Sequence, residues 1–586
     1  MEQKIQQSID PVTASVIQGA LQNIAIEMGY KLMRMSYSSI IRESEDFGTA
    51  LTDAKGNQLA ESVQSTPLQS GPIPGYVKNV IEVFERRGTA FKHGDVIMHN
   101  DPYGGASHGP DIALIVPVFY GDILIGFSGT TAHHLDVGAL SPGSCGIVDA
   151  IDVYAEGLQF KAIKVYDGGE RNEAVWQILK DNVRAPGMVV GDMEAQVAAC
   201  QIGAERFIDL VDRFGLQAVD DASEALMDYS ERLMRNAIRD VPDGVYSAKT
   251  FIDGFLEDPD RRDLPLVVTI TISGDEMEVD LEGTAPQVSD RPINMPLIGT
   301  VDISIWLTVR SVLLDSDIFG YIPQNSGLTR PITLKVPRGC LANPIFPAPV
   351  IARFTPGNQL ADTVMKALAG AVPEQVSAGI GNLKVIAFSG LKEETHWVHM
   401  EIFEGSYGGR YNRNGMDAVD TLYANTRNNP IEDIESHLPM RVTRYELRED
   451  TSGAGRTRGG LGACRAFQFL EPGGFSVEGE GHKFAPWGFK GGNDGKTAEL
   501  HLIHANGKSE SLTSKVPYHT TETGDTFLAI GPSAGGYGEA FERSPEDVYE
   551  DVLDELISEE TAERDYGVII SHGKLDLEAT AKRRHA

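Results

Sequence analysis

The stretch His99–Gly138, HNDPYGGASHGPDIALIVPVFYGDILIGFSGTTAHHLDVG, decides how this chain is read. Ile112–Tyr120 is an apolar, β-rich run, Gly121-Asp122 is a turn signal, and Ile123–Gly129 is a second apolar run. Two such runs around a two-residue turn predict a β-hairpin. Pairing across that turn sets residue 111 opposite 132 and 110 opposite 133. The open end then gathers His108, Asp111, His133, His134 and Asp136 in one small volume. Residues directly opposite one another lie roughly 5 Å apart, within metal-binding reach. Strict alternation puts His108 and His133 on one face, with Asp111 and His134 on the other. A His–Asp–His site therefore needs a bulge or an irregular approach at Gly109-Pro110, and register does not choose between His133 and His134.

Two imidazoles and one carboxylate form a donor set for a divalent metal: zinc, iron or manganese, with positions left open for water. Such an ion lowers the pKa of water toward neutrality and polarises a carbonyl. Five of the 14 histidines fall between residues 93 and 134. Two other readings stay open: loop residues that satisfy backbone groups, and a His–Asp acid–base pair without metal.

Outward from the hairpin, Asp10 and Pro11 predict the start of a helix with Val12, Val16, Leu21, Ile24, Met28 and Leu32 as its stripe. Further helices are predicted over about 191–215 and 219–238, ending at the turn Pro242-Asp243-Gly244. Strand patterns follow. Leu266–Ile272 and Met277–Leu281 read as a hairpin around Gly274-Asp275, and Asn506-Gly507 marks another. Glycine is dense between about 400 and 540, which predicts loops in a β-rich region. Ser544-Pro545 opens a C-terminal helix with Val548, Val552 and Leu556 on one face, and the polar tail from Lys574 is expected to fray. The fold class is thus α+β and multidomain. A helix-rich N-terminal region (1–244) carries the hairpin, a mixed domain spans 245–400, a glycine-rich β region spans 401–543, and a C-terminal helix and tail span 544–586.

The 586 residues suit about three or four domains. With 41% hydrophobic and 23% charged residues, wholesale disorder is excluded. The formal charge of -33 argues against nucleic acid as a partner, since no basic patch precedes the tail Lys582-Arg583-Arg584. Four widely separated cysteines without a C-x-x-C pair fit a reducing cytoplasm and no cysteine zinc site. The N-terminus lacks an apolar signal segment, and no apolar run is long enough to span a membrane.

Two motifs fail on context. Gly491–Thr497, GGNDGKT, nearly matches a P-loop, but Lys490 stands where glycine is needed. Gly531-Pro532-Ser533-Ala534-Gly535 matches a nucleophile elbow, which needs a strand before it and a helix after it, but a glycine cluster follows, so a plain turn is expected. The chain carries no recognisable nucleotide site of its own.

Several stretches together resemble the hydantoinase B family, the B-type half of 5-oxoprolinase. They are Ile41–Asn57 (IRESEDFGTALTDAKGN), Asn100–Leu114, Ala132–Ser144, Glu156–Gly169, Ala424–Glu435, Arg444–Gly462, Glu480–Gly492, Gly535–Gly538 and Tyr566–Ile570, in order along nearly the whole chain. The resemblance implies a hetero-oligomer with an A-type ATPase subunit of the actin/Hsp70-like class. That partner uses ATP to phosphorylate the amide oxygen of a small cyclic substrate, leaving the activated carbon open to attack by water in the B-type subunit. It implies metal ligands at His108, Asp111 and His133, with Asp46 a further candidate, while Asp101 either adds a ligand or orients the loop. His134 and Asp136 are the candidates for accepting the water proton or orienting a ligand. Arg427 and Arg42 are candidates for binding phosphate or carboxylate, and Tyr407 and His482 for lining the pocket. The family also includes distant subunits of acetone and acetophenone carboxylases, so an ATP-dependent ketone carboxylase subunit is the alternative. Gly109 and the loop Gly531–Gly535 depart from the family pattern and leave the substrate's shape open.

Overall fold

The computed structural model describes residues 9–585. The first eight residues, part of the segment read as lacking a signal, and Ala586 lie outside the described residues. Helix α1 (Pro11–Met35) starts as the sequence predicts: Asp10 accepts a hydrogen bond from the Thr13 amide at 3.0 Å. Its buried stripe is Ile17, Leu21, Ile24, Met28 and Leu32, whereas Val12 and Val16 are exposed.

A seven-stranded antiparallel sheet organises the N-terminal region. Its strands are β1 (Phe47–Asp53), β2 (Gln58–Glu61), β3 (Val96–His99), β4 (Asp111–Tyr120), β5 (Ile123–His133), β6 (Ile163–Asp167) and β7 (Glu170–Arg171), in the order β2-β1-β5-β4-β3-β6-β7. Between β2 and β3 lie a single helical turn, α2 (Pro67–Ser70), and helix α3 (Ile73–Arg87). After β7 come the long helices α4 (Pro186–Phe214) and α5 (Leu216–Arg239). Helix α4 begins earlier than its apolar stripe suggests, because Pro186 suits a first helical turn. Ile112, Leu114 and Val116 of β4 face α1 and α4, while Ala113 and Ile115 face α3. The sheet is buried on both faces, which explains why β4 and β5 read as continuous apolar runs rather than alternating ones.

The β4–β5 hairpin is present, but its register differs from simple pairing across the turn. Tyr120 pairs with Ile123 and Phe119 with Leu124, yet Val118 pairs with Gly126. Ile125 is an extra residue, a β-bulge, and every pair beyond it shifts by one. Asp111 consequently lies directly opposite His133.

Downstream, Gly244–Gly254, Arg262–Ser273, Glu276–Asp280 and Ile332–Lys335 form a four-stranded sheet whose core includes the helices Asp302–Leu313 and Phe354–Leu368. Two further sheets share a core rich in phenylalanine: Phe388 and Phe475 from one meet Phe467 and Phe527 from the other. The first of these also turns Val385, Met400 and Ile402 toward the N-terminal core. The helix Pro545–Leu553 is capped by Ser544, and Leu556 lies beyond its end. The tail does not fray as its polarity suggests. Leu577–His585 is helical, Asp576 accepts from the Ala579 amide at 2.9 Å, and Arg584 Nε donates to the Tyr566 carbonyl at 2.9 Å. Among the described residues no helix is long and apolar enough to cross a membrane.

Many of the glycines between 379 and 538, among them Gly453, Gly459, Gly488, Gly495, Gly535 and Gly536, pack backbone against backbone rather than forming separate loops. Segment 533–538 donates backbone hydrogen bonds in rotation. Ser533 and Gly536 reach Lys496 and Asn493, Ala534 and Tyr537 reach Gly460 and Thr457, and Gly535 reaches Gly379. For two of the three pairs, donors three residues apart serve the same neighbouring segment, whereas Gly535 and Gly538 reach Gly379 and Phe489. A Cβ on Gly535 would overlap the Trp487 carbonyl, and one on Gly495 the Ser533 carbonyl. Ser533 Oγ is held by the Gly462 amide (2.9 Å) and the Thr451 hydroxyl (2.7 Å), consistent with a turn rather than a nucleophile elbow.

Candidate metal centre

The bulge at Ile125 puts Asp111 and His133 on one face of the sheet, and His108 arrives on the loop before β4. His108, Asp111 and His133 each present a ligand atom within 4.8 Å of the others, and all three are buried. The two imidazole centroids are 5.1 Å apart.

Each side chain is fixed by neighbours. His108 Nδ1–H donates to the Ile351 carbonyl at 3.0 Å. That bond leaves Nε2 with its lone pair, 3.1 Å from Asp111 Oδ1. Burial and the Arg353 guanidinium push the His108 pKa down, so its ring is neutral and no proton lies between the two acceptors. His133 is pushed down to about 3, chiefly by burial, and its Nδ1 has no hydrogen-bond partner. Burial opposes ionisation of Asp111, but the Arg353 guanidinium against its carboxylate outweighs it and holds the carboxyl well below the usual range. Arg353 Nη2 reaches Asp111 Oδ2 at 2.7 Å, and Ser107 donates to the same oxygen. Gln69 Nε2 bridges Asp111 Oδ1 (2.8 Å) and Asp46 Oδ1 (3.1 Å). Buried lone pairs on two imidazoles beside an anionic carboxylate oppose one another unless a cation sits among them, so these residues fit a divalent metal.

The cluster borders a cavity of about 10 Å³, the space of a single water or ion. Asp46, Glu478, Cys145, Arg353 and Met400 line it with His108 and His133. Burial and the Asp111 charge raise Asp46 to about 8, and burial raises Glu478. A further layer orients the ligands: Glu156 Oε1 accepts from the Val350 amide and from the Ile351 amide (2.7 Å), which holds the carbonyl that fixes His108.

Other predicted residues lie elsewhere. His134 follows His133 and so points to the opposite face, where its Nε2 meets Gln196 Oε1 of α4 at 2.9 Å. Asp136 is buried but committed to the Gly138 amide (2.9 Å) and to Arg184 Nη1 (3.0 Å), a loop-holding role. Asp101 accepts from the Tyr103 amide and pairs with Lys161 at 2.9 Å, which orients the loop. Arg42 pairs with Glu43 and Asp433, and Arg427 with Glu45 at 2.9 Å; neither lines the cavity. The Tyr407 hydroxyl accepts from the Leu422 amide. His482 also lies outside the cavity lining, with its Nε2 buried and without a partner. Arg353, Gln69, Glu156 and Glu478 were not singled out from the sequence. A lone arginine inside the apolar run Ala348–Phe354 is the one local signal that could have marked Arg353.

Comparison with known proteins places this chain among relatives. The family model described as Hydantoinase B/oxoprolinase matches residues 10–540. A chain from Pseudomonas sp. (strain NS671), named as the B-type component of a D-/L-hydantoinase, is 61% identical over 98% of each chain. The crystal structure of the ATP-dependent caprolactamase from Pseudomonas jessenii superposes with a TM-score of 0.88 at 30% identity, over 99% of this chain and 100% of that one. Nucleotide-free acetone carboxylase superposes with a TM-score of 0.89 at 18% identity, over 98% of this chain and 82% of that one, which is a likeness of fold alone.

Proposed function

Because the chain belongs to the hydantoinase B/oxoprolinase family, we propose that it is the B-type subunit of an ATP-dependent cyclic amide hydrolase. Its substrate is a hydantoin, lactam or 5-oxoproline-like ring whose amide oxygen an A-type ATPase partner has phosphorylated. The observation that carries this reading is the buried cluster of His108, Asp111 and His133, whose imidazole lone pairs lack proton partners.

Amide resonance makes the ring carbon a poor electrophile, and phosphorylation of the amide oxygen removes that resonance. Water then adds to the carbon, and the C–N bond breaks as the ring nitrogen takes a proton. A second water hydrolyses the resulting acyl phosphate to carboxylate and phosphate. His108, Asp111 and His133 would hold a divalent ion, with Asp46 beside them as a further ligand or, when ionised, a proton acceptor. When bound, the ion supplies positive charge that eases deprotonation of water and polarises the reacting carbon. Arg353 keeps Asp111 anionic, and the Ile351 carbonyl keeps His108 in the tautomer that offers Nε2. With His134 and Asp136 displaced, the carboxyl groups that line the cavity are those of Asp46 and Glu478, and a bound cation that offsets their burial would keep them ionised as acceptors for the water proton. The apolar walls formed by Leu68, Val385, Met400 and Ile402 exclude bulk water.

The test is reconstitution with the ATPase partner and assay of ATP-dependent ring opening on hydantoin, ε-caprolactam and 5-oxoproline. One divalent ion per chain is expected by elemental analysis, with activity lost on chelation and in His108→Ala. Full activity after exhaustive chelation would falsify the metal reading. ATP turnover that requires bicarbonate would instead favour the ketone carboxylase alternative.

A further inference from the structure

The stretch Glu480–Gly492 carries part of the family resemblance but lends no residue to the histidine cavity. Phe484, Pro486 and Trp487 of it instead line a separate cavity of about 200 Å³. The helix Phe354–Leu368 runs between the two: Phe354 borders the histidines, while Asp362 and Lys366 border the second space. Three aromatic residues wall that space, Phe251, Phe484 and Trp487, and each is only half-buried, so none is closed off from solvent. Phe251 and Phe484 stack with centroids 5.2 Å apart. Two ammonium groups lie over the rings: Lys249 Nζ is 5.0 Å from the Phe251 centroid and Lys366 Nζ 5.3 Å from that of Trp487. The chain has 84 acidic residues against 51 basic ones, yet among the described residues neither ammonium forms an ion pair. The one acid in the lining, Asp362, is buried and committed to other donors. It accepts from Trp487 Nε1 (2.9 Å), Gln359 Nε2 (3.2 Å) and the Ile380 amide (3.3 Å), which fixes the indole.

We propose that this cavity binds a small planar anion, a single aromatic or heteroaromatic ring carrying a carboxylate. An apolar cavity of about 150 Å³ holds benzene, so this one has room for a ring and one small substituent. The ring stacks against the aromatic walls. The carboxylate accepts from Lys249 or Lys366 Nζ, whose ammoniums already lie on the rings and so lose little freedom on binding. A cationic ligand would meet two like charges, and an uncharged ring would leave both ammoniums without a counter-charge. The proposal needs neither the metal nor ATP.

The test uses the full chain and benzoate, titrated by saturation-transfer NMR beside two other probes. Cyclohexanecarboxylate has the charge without the flat face, and benzyl alcohol has the face without the charge. Benzoate is expected to bind at least ~5-fold more tightly than benzyl alcohol and at least ~2-fold more tightly than cyclohexanecarboxylate, the values of one charge-assisted hydrogen bond and one stacked ring. Lys249→Met combined with Lys366→Met keeps the apolar stems, so the circular dichroism spectrum persists while benzoate falls to the affinity of benzyl alcohol. Exhaustive chelation leaves benzoate binding unchanged, which separates this cavity from a carboxylate held by the metal. Absence of benzoate binding, equal binding of either comparison probe, unchanged affinity in the lysine variant, or loss of binding on chelation overturns the proposal. Its failure is separable from failure of the proposed function, which would appear as absent ATP-dependent ring opening while benzoate still binds.

Discussion

The β4–β5 hairpin and the glycine body around 533–538 are built on opposite rules. In the hairpin, apolar side chains make the scaffold and a few polar ones, held at its open end, are left over for chemistry. In the glycine body, backbone packs on backbone, and what holds it together is the absence of side chains. The first region is expected to keep its fold when those functional groups are lost. At its glycines the second has no room for a side chain. Both read as special in the sequence, yet only one of them points to reactivity.

The largest expected effect tests the second rule. Gly535→Ala forces a methyl onto the Trp487 carbonyl and is expected to cost more than ~4 kcal/mol, seen as insoluble or unfolded protein in circular dichroism. Gly19→Ala, in α1 with nothing near its Cβ, is expected to stabilise by about 1 kcal/mol in urea unfolding. Equal behaviour of the two would break the comparison.

Next, His133→Ala is expected to keep the folded circular dichroism spectrum but to weaken metal affinity by more than the ~10–100-fold typical of an orienting partner. Calorimetric titration with Zn²⁺ or Mn²⁺ measures it. Glu156 sharpens the point from one layer out. Glu156→Leu removes the acceptor of two amides and is expected to weaken metal binding ~10–100-fold, while Glu156→Gln keeps an acceptor and restores it. Burial raises Glu156 to about 8, so a neutral amide is a close mimic of its folded form.

The smallest effect concerns Lys384, next to the cavity-lining Val385 and without a hydrogen-bond partner for Nζ. Burial, then the Arg448 charge, pushes its amine down to about 7. The unfolded chain keeps that proton up to about pH 10.4, so between about 7 and 10.4 unfolding takes up a proton and this group's contribution to stability rises with pH. Its penalty is full below pH 7. Lys384→Met should therefore be more stable than the native chain at pH 6.5, by an amount that shrinks toward pH 10. A difference that is constant across that range in thermal melts would show that the amine stays charged.

Much of the local structure was legible. The cap at Asp10, the turn at Gly121-Asp122 and the hairpin at Asn506-Gly507 are signals contained in a few adjacent residues, and all three elements form. So did the gathering of His108, Asp111 and His133, because a hairpin brings its own ends together. The bulge at Ile125 was not legible, since nothing in ILIGFSG marks which residue is to be extra; sheet pairing on both sides of β5 decides it. That single residue decides between His133 and His134.

The amino-acid order by itself determined the elements, the family and the chemical types at the hairpin's mouth, because turn chemistry, periodicity and motif order act over short separations. Tertiary structure alone supplied Arg353, Gln69 and Glu156, which come from segments up to 242 residues away from the ligands they hold. Buried charges and lone pairs are satisfied by whichever groups the packing brings near, and no local pattern encodes that choice.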